Sequence, residues 1–128
     1  MAVAAVAALA LVTGTAAPVT AADKTLKIYL ISKGETHQFW QAVKLGAETQ
    51  AKKMNAEIVF QGPAAETMID KQLEMLDAAI AVKPDAIGYA ALGTTQSVPN
   101  LKAAHTAGIP VYMFDTAASC PGKLGVAS

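Results

Sequence analysis

Between Leu26 and Asp115 the chain alternates short apolar runs with longer stretches of helical spacing. LKIYLI (Leu26–Ile31) is a β-rich apolar run and predicts a first strand. From His37 to Met54, Phe39, Val43, Gly46/Ala47, Gln50/Ala51 and Met54 recur at helical intervals, which predicts a helix with one apolar face. AEIVFQ (Ala56–Gln61) predicts a second strand and GPAAE the turn behind it. Thr67 with Asp70 three positions on has the form of a capping box, with Asp standing where Glu or Gln is usual. The helix it opens would stack Ile69, Leu73, Leu76 and Ile80 and stop before Lys83-Pro84. DAIGYAAL (Asp85–Leu92) predicts a third strand. Ser97 to Ala107 predicts a third helix, carrying Val98, Leu101 and Ala104 and ended by Gly108. IPVYMFD (Ile109–Asp115) predicts a fourth strand.

The order is therefore β-α-β-α-β-α-β, with successive strands roughly 25–30 residues apart, the length of a βαβ crossover. Near-continuous apolar strands fit a parallel sheet covered by helices on both faces. The expected fold is a doubly wound α/β domain of the Rossmann or flavodoxin-like kind. After Asp115 the chain loosens into TAASCPGKLGVAS, and LGVAS lies where a fifth strand would begin. The sequence reads as cut short.

Composition narrows the function. In 128 residues, 53% are hydrophobic, enough for one domain with a real core. Ten basic and ten acidic residues give a formal net charge of zero, which with no Lys/Arg stripe argues against a nucleic-acid partner. Cys120 is the single cysteine, so no internal disulfide and no Cys/His metal spacing is available. Residues 1–22 combine an Ala/Val/Leu run with a small-residue region near Ala21 and Ala22, the form of a secretory signal peptide. No Lys or Arg follows Met1, so the usual positive start is missing. A transmembrane helix is the other reading, but the strongly apolar part is short and rich in alanine. The expected division is a signal peptide over 1–22 and one domain over 23–128, exported to the bacterial cell envelope, periplasmic or extracellular.

Open parallel sheets bind ligands beyond the carboxyl ends of their strands. Four such ends can be read: Ser32-Lys33-Gly34, Gln61-Gly62-Pro63, Leu92-Gly93-Thr94-Thr95 and Asp115-Thr116. The first leads into His37, Gln38, Phe39 and Trp40 at a helix N-terminus, facing Asp115 across the same edge. A carboxylate suits the neighbouring hydroxyls of a polyol through charge-assisted bonds. Lys33 and His37 can donate to ligand oxygens, and Phe39 and Trp40 offer flat faces for the C–H side of a sugar ring. Adjacent residues cannot share one helix face, so one of the two aromatics belongs to the core. A solvated Lys33, a first-turn His37 with no ligand role and a Cys120 thiol in a plain loop are the bland alternatives. Asp115 ends a buried strand, where a carboxylate is costly unless it has partners. Nucleophile-elbow, phosphate-loop and HExxH patterns are absent, and Ser32, His37 and Asp115 form a triad only on paper. No catalytic residue, metal or cofactor is expected.

From Leu26 onward the chain resembles the amino-terminal lobe of bacterial substrate-binding proteins of sugar ABC transporters, the ribose-binding-protein-like group of type I periplasmic binding proteins. The pieces that carry the resemblance are KIYLISKG, HQFWQAVKLGAETQAKKMNAEIVFQGP, IDKQLEMLDAAIAVKPDAI and LKAAHTAGIPVYMFDT. It implies a sugar-like ligand held by Lys33, His37, Phe39, Trp40, Asp115 and Thr116, delivered to a membrane permease without catalysis. Many pentose and hexose binders carry arginine where this chain has Thr116, whereas Lys33 with the aspartate looks like the autoinducer-2-receptor branch. LacI-type repressors share the fold, but the signal and the lack of a helix-turn-helix before Leu26 argue against them. The group closes two lobes by hinge motion. With one lobe here, the chain reads as an amino-terminal fragment that lacks the carboxy-terminal lobe, and the surface left bare would favour self-association. The competing functions are a small flavodoxin-like enzyme or cofactor-binding domain, and a remnant that binds nothing.

Overall fold

A computed structural model describes residues 24–119 and 126–127. The signal peptide expected over 1–22 and the loop thiol of Cys120 lie outside the described residues. Among the described residues eight elements follow one another: β1 (Leu26–Ile31), α1 (Gln38–Lys53), β2 (Ala56–Gln61), α2 (Ile69–Ala81), β3 (Ala86–Tyr89), α3 (Val98–Thr106), β4 (Val111–Met113) and β5 (Val126–Ala127). All pairings are parallel, in the order β2-β1-β3-β4-β5. The doubly wound α/β fold expected from the alternation is the fold observed, and β5 falls within the LGVAS stretch.

Parallel neighbours need right-handed crossovers, and here the first runs from β1 to β2 while the later ones run the other way. That reversal sets α1 on one face of the sheet and α2 with α3 on the other, where those two helices touch. The core lies under α2 and α3. Ile31, Leu76, Ala79, Ile87, Tyr89, Leu101, Ala104 and Val111 are all buried there.

Several boundaries differ from the expected ones, each for a physical reason. The apolar run Asp85–Leu92 is a strand only to Tyr89, because its neighbours stop pairing there: Ile31 aligns with Tyr89, and Tyr89 with Met113. The capping box at Thr67 is not formed. Met68 is the N-cap of α2 and no side chain caps it, while Met68 N–H donates to Ala65 O in the preceding turn. On α1 the inward line runs through buried Trp40 and Ala51 and half-buried Val43 and Ala47, one step from the expected line at its start. Phe39 and Met54 are 51% and 60% exposed, so the aromatic that joins the core is Trp40.

Two glycines fit close backbone contacts at the sheet's carboxyl edge. A Cβ on Gly62 would stand 2.3 Å from Ser32 Oγ and 3.1 Å from the Gly34 backbone. This closeness lets the β1–α1 and β2–α2 loops run together, joined by Ser32 N–H to Gln61 O (2.9 Å) and Glu35 N–H to Pro63 O (3.0 Å).

Candidate functional site

β1, β3 and β4 stop in step, so Lys33, Ala90–Ala91 and Asp115–Thr116 emerge side by side at one edge. Lys33 and Asp115 come from strands that are not neighbours, since β3 lies between them. The small side chains of Ala90 and Ala91, both buried, leave the long stem of Lys33 room to bridge. Its ammonium meets Asp115 Oδ2 at 2.7 Å and donates to Thr116 Oγ1 at 3.0 Å. Thr116 Oγ1 in turn donates to Asp115 Oδ2 at 2.9 Å, which closes a three-membered network. Asp115 Oδ1 accepts no hydrogen bond among the described residues. Beside it lies an open hollow of about 300 Å³ lined by Met113, Phe114, Asp115 and Ala117.

The backbone at Asp115 is unusual. Its φ is +58°, and Thr116 N–H reaches back to Phe114 O at 2.6 Å, so a tight turn is centred on the aspartate. Aspartate tolerates this left-handed region better than most residues, and such conformations concentrate at functional positions.

The carboxyl of Asp115 is held below its ordinary value, first by the Lys33 hydrogen bond, with Thr116 and the Lys33 charge adding to it against a smaller effect of burial. Asp85 is lowered as well, first by its bond to Lys24 and then by Lys27 N–H. A carboxyl lowered in the folded state adds stability above its unfolded value, about 3.9 for aspartate. That stability drains away as the pH falls through the folded value. Urea unfolding at a series of pH values is therefore expected to show stability falling below about pH 4, with a shallower fall in Asp115→Asn. Identical slopes in the two proteins would show that the pair is not populated.

Trp40 packs beside this network, inside the fold. Its indole is 1% exposed. Edge-to-face contacts join it to Phe39 (4.8 Å, 79°) and Phe114 (6.3 Å, 76°). Nε1 donates to Glu66 Oε1 at 2.8 Å, and the Lys33 ammonium lies 5.9 Å from the ring centre. His37 is the N-cap of α1, where its Nδ1 accepts from Phe39 N–H at 3.2 Å. That bond leaves Nε2 as the protonated nitrogen of the neutral ring.

Of the six residues read from the sequence, Lys33, Trp40, Asp115 and Thr116 converge, and Phe39 joins them through Trp40. His37 is engaged by its own helix through Phe39 N–H and, among the described residues, makes no bond to Lys33, Trp40, Asp115 or Thr116. Sequence reasoning missed Phe114, Glu66 and Gln72. Glu66 sits in a stretch that reads only as a turn. Gln72 did carry a signal, a polar residue one turn before Leu76 on the buried face of α2.

This chain belongs to the periplasmic binding protein domain family, whose model matches residues 28–127. The amino-terminal-lobe resemblance read from the sequence agrees with that match and with the solved structures. An ABC transporter solute-binding protein from Agrobacterium vitis with bound D-fucose is similar at 39% identity and TM-score 0.70, covering 73% of this chain and 32% of that one. A second from the same organism, bound with α-D-tagatopyranose, is also 39% identical at TM-score 0.70, with 79% and 35% covered. A carbohydrate-transporter solute-binding protein from Agrobacterium radiobacter, in complex with D-arabinose, is 27% identical at TM-score 0.72, with 78% and 33% covered. The matched region thus spans about a third of the length of these structures.

Proposed function

We propose that the chain is the amino-terminal lobe of a solute-binding protein that captures a sugar or similar polyhydroxylated molecule for uptake through an ABC transporter. The observation that carries this reading is the Lys33–Asp115–Thr116 network on the carboxyl edge of the sheet, beside the buried Trp40 indole. Asp115 Oδ1 is placed to accept from one hydroxyl while the Lys33 ammonium donates to its neighbour. The pair carries no net charge, which suits a neutral ligand. Phe39, half exposed and stacked edgewise on Trp40, extends the apolar surface. Binding without catalysis, delivery to a membrane permease, and export guided by residues 1–22 complete the reading.

A second lobe closing over this edge is part of the proposal, and the one-third coverage of the neighbours supports it. One lobe leaves half the ligand in water, so affinity on the order of millimolar is expected for the chain alone. Trp40 is the single tryptophan, so its emission reports on this site alone. Titration with D-fucose, D-tagatose and D-arabinose, read by that emission and by calorimetry, is expected to give a saturable response for at least one sugar. A flat response to all three, from this chain and from one extended to the neighbours' length, would reject the reading.

A further inference from the structure

Gln72 is the one residue of α2 whose polar side chain is wholly buried, and every bond of that side chain goes to the carboxyl edge. Its Nε2 donates to Ser32 O and Ala90 O, each at 2.8 Å. Its Oε1 accepts from the Tyr89 hydroxyl at 2.8 Å and from Leu92 N–H at 2.9 Å. A carboxamide has two N–H donors and one oxygen with two lone pairs, so this side chain is saturated. Glutamate would lose both donors when ionised, and methionine of similar shape would lose all four bonds.

The partners are what give the residue its meaning. Ser32 directly precedes Lys33. Ala90 directly precedes Ala91, whose N–H donates to Thr116 O at 2.9 Å. A continuous series of bonds therefore runs from the backbone of Lys33, through the Gln72 carboxamide, to the turn that carries Asp115 and Thr116. No other side chain among the described residues ties the ends of β1 and β3 together in this way.

We propose that Gln72 is a positioning residue, which touches no ligand but sets the separation between Lys33 and the Asp115–Thr116 turn. The proposal deepens the sugar-site reading above and rests on it for its biological meaning. A residue that only filled the core would give stability from any side chain of the same volume. Gln72 requires a carboxamide, because only that group serves two carbonyls and two donors at once.

The test follows the carboxyl carbon of Asp115 by NMR through an acid titration of the 128-residue chain. Gln72→Met is expected to move its midpoint up toward that of a free aspartate, because Lys33 and Thr116 no longer hold it as closely. Ile87→Val, a core truncation away from this edge, is expected to leave the midpoint in place. If Gln72→Met fails to fold, Gln72→Glu keeps the shape and both acceptor bonds, and the same rise is expected there. A folded Gln72 variant with the wild-type midpoint would overturn the proposal, as would an equal shift in Ile87→Val. The titration needs no sugar, so the two readings can fail separately. A wild-type chain deaf to every sugar, with the Gln72 shift present, rejects the sugar site and leaves the positioning role intact.

Discussion

Replacing Asp115 by alanine is expected to weaken sugar binding by about a hundredfold, from the loss of a charge-assisted hydrogen bond of about 1.5–3 kcal/mol. The same change leaves Lys33 beside the ligand without its carboxylate, which adds to the loss. Fold stability should move far less, because a partly exposed ion pair contributes only about 0–1 kcal/mol. Alanine also fits the positive φ of Asp115 poorly, so Asp115→Asn is the cleaner companion. Asparagine accepts the left-handed conformation and keeps one carbonyl acceptor but loses the charge, so a loss of about tenfold is expected, equivalent to about 1.4 kcal/mol. Calorimetry on the wild type and both variants, in a chain extended to the neighbours' length, decides it. Equal affinity in all three would mean that the ligand does not use this carboxylate.

Trp40→Ala should produce the largest stability loss among the site residues, about 3–5 kcal/mol. The indole is buried, meets Phe39 and Phe114 edge-on, and donates to Glu66. Gly34 packs under it so closely that an added Cβ would stand 3.3 Å from the ring. Against a total of about 5–15 kcal/mol for an ordinary domain, such a loss brings this chain near its unfolding threshold. Trp40→Phe fills most of the space and removes the hydrogen bond, so it should cost markedly less. The comparison needs circular dichroism in urea, because both variants lack the fluorophore. A small loss for Trp40→Ala would show that α1 is not anchored through this ring.

The sheet was legible because its signals are local and strong. LKIYLI and AEIVFQ are strands over the spans that their apolar runs mark, and Gly108 and Pro84 end helices as glycine and proline do. The reading ran long at β3 and β4, since a strand stops where its neighbours stop, and Ala90 and Leu92 carry no mark of that in their own chemistry. Phe39 and Trp40 were equivalent candidates for the core until Gly34 of the β1–α1 loop and Glu66 of the β2–α2 loop supplied a seat for the indole alone. The members of the observed network, Lys33, Asp115 and Thr116, were legible from their places at strand ends. Glu66 was not, because its role depends on a partner 26 positions earlier in the chain.

The bridge between Lys33 and Thr116 joins residues 83 positions apart, across a strand that belongs to neither. Such contacts form only after long segments of chain have been closed into a parallel sheet, which makes them slow to appear during folding. On the proposed function, recognition is therefore tied to completion. A chain in which β1, β3 and β4 have not yet come together lacks this network, whatever secondary structure it has gained. Ligand added during refolding should bind only the finished form and draw molecules toward it by mass action. The recovery of binding would then serve as a clock for the last step of folding rather than the first.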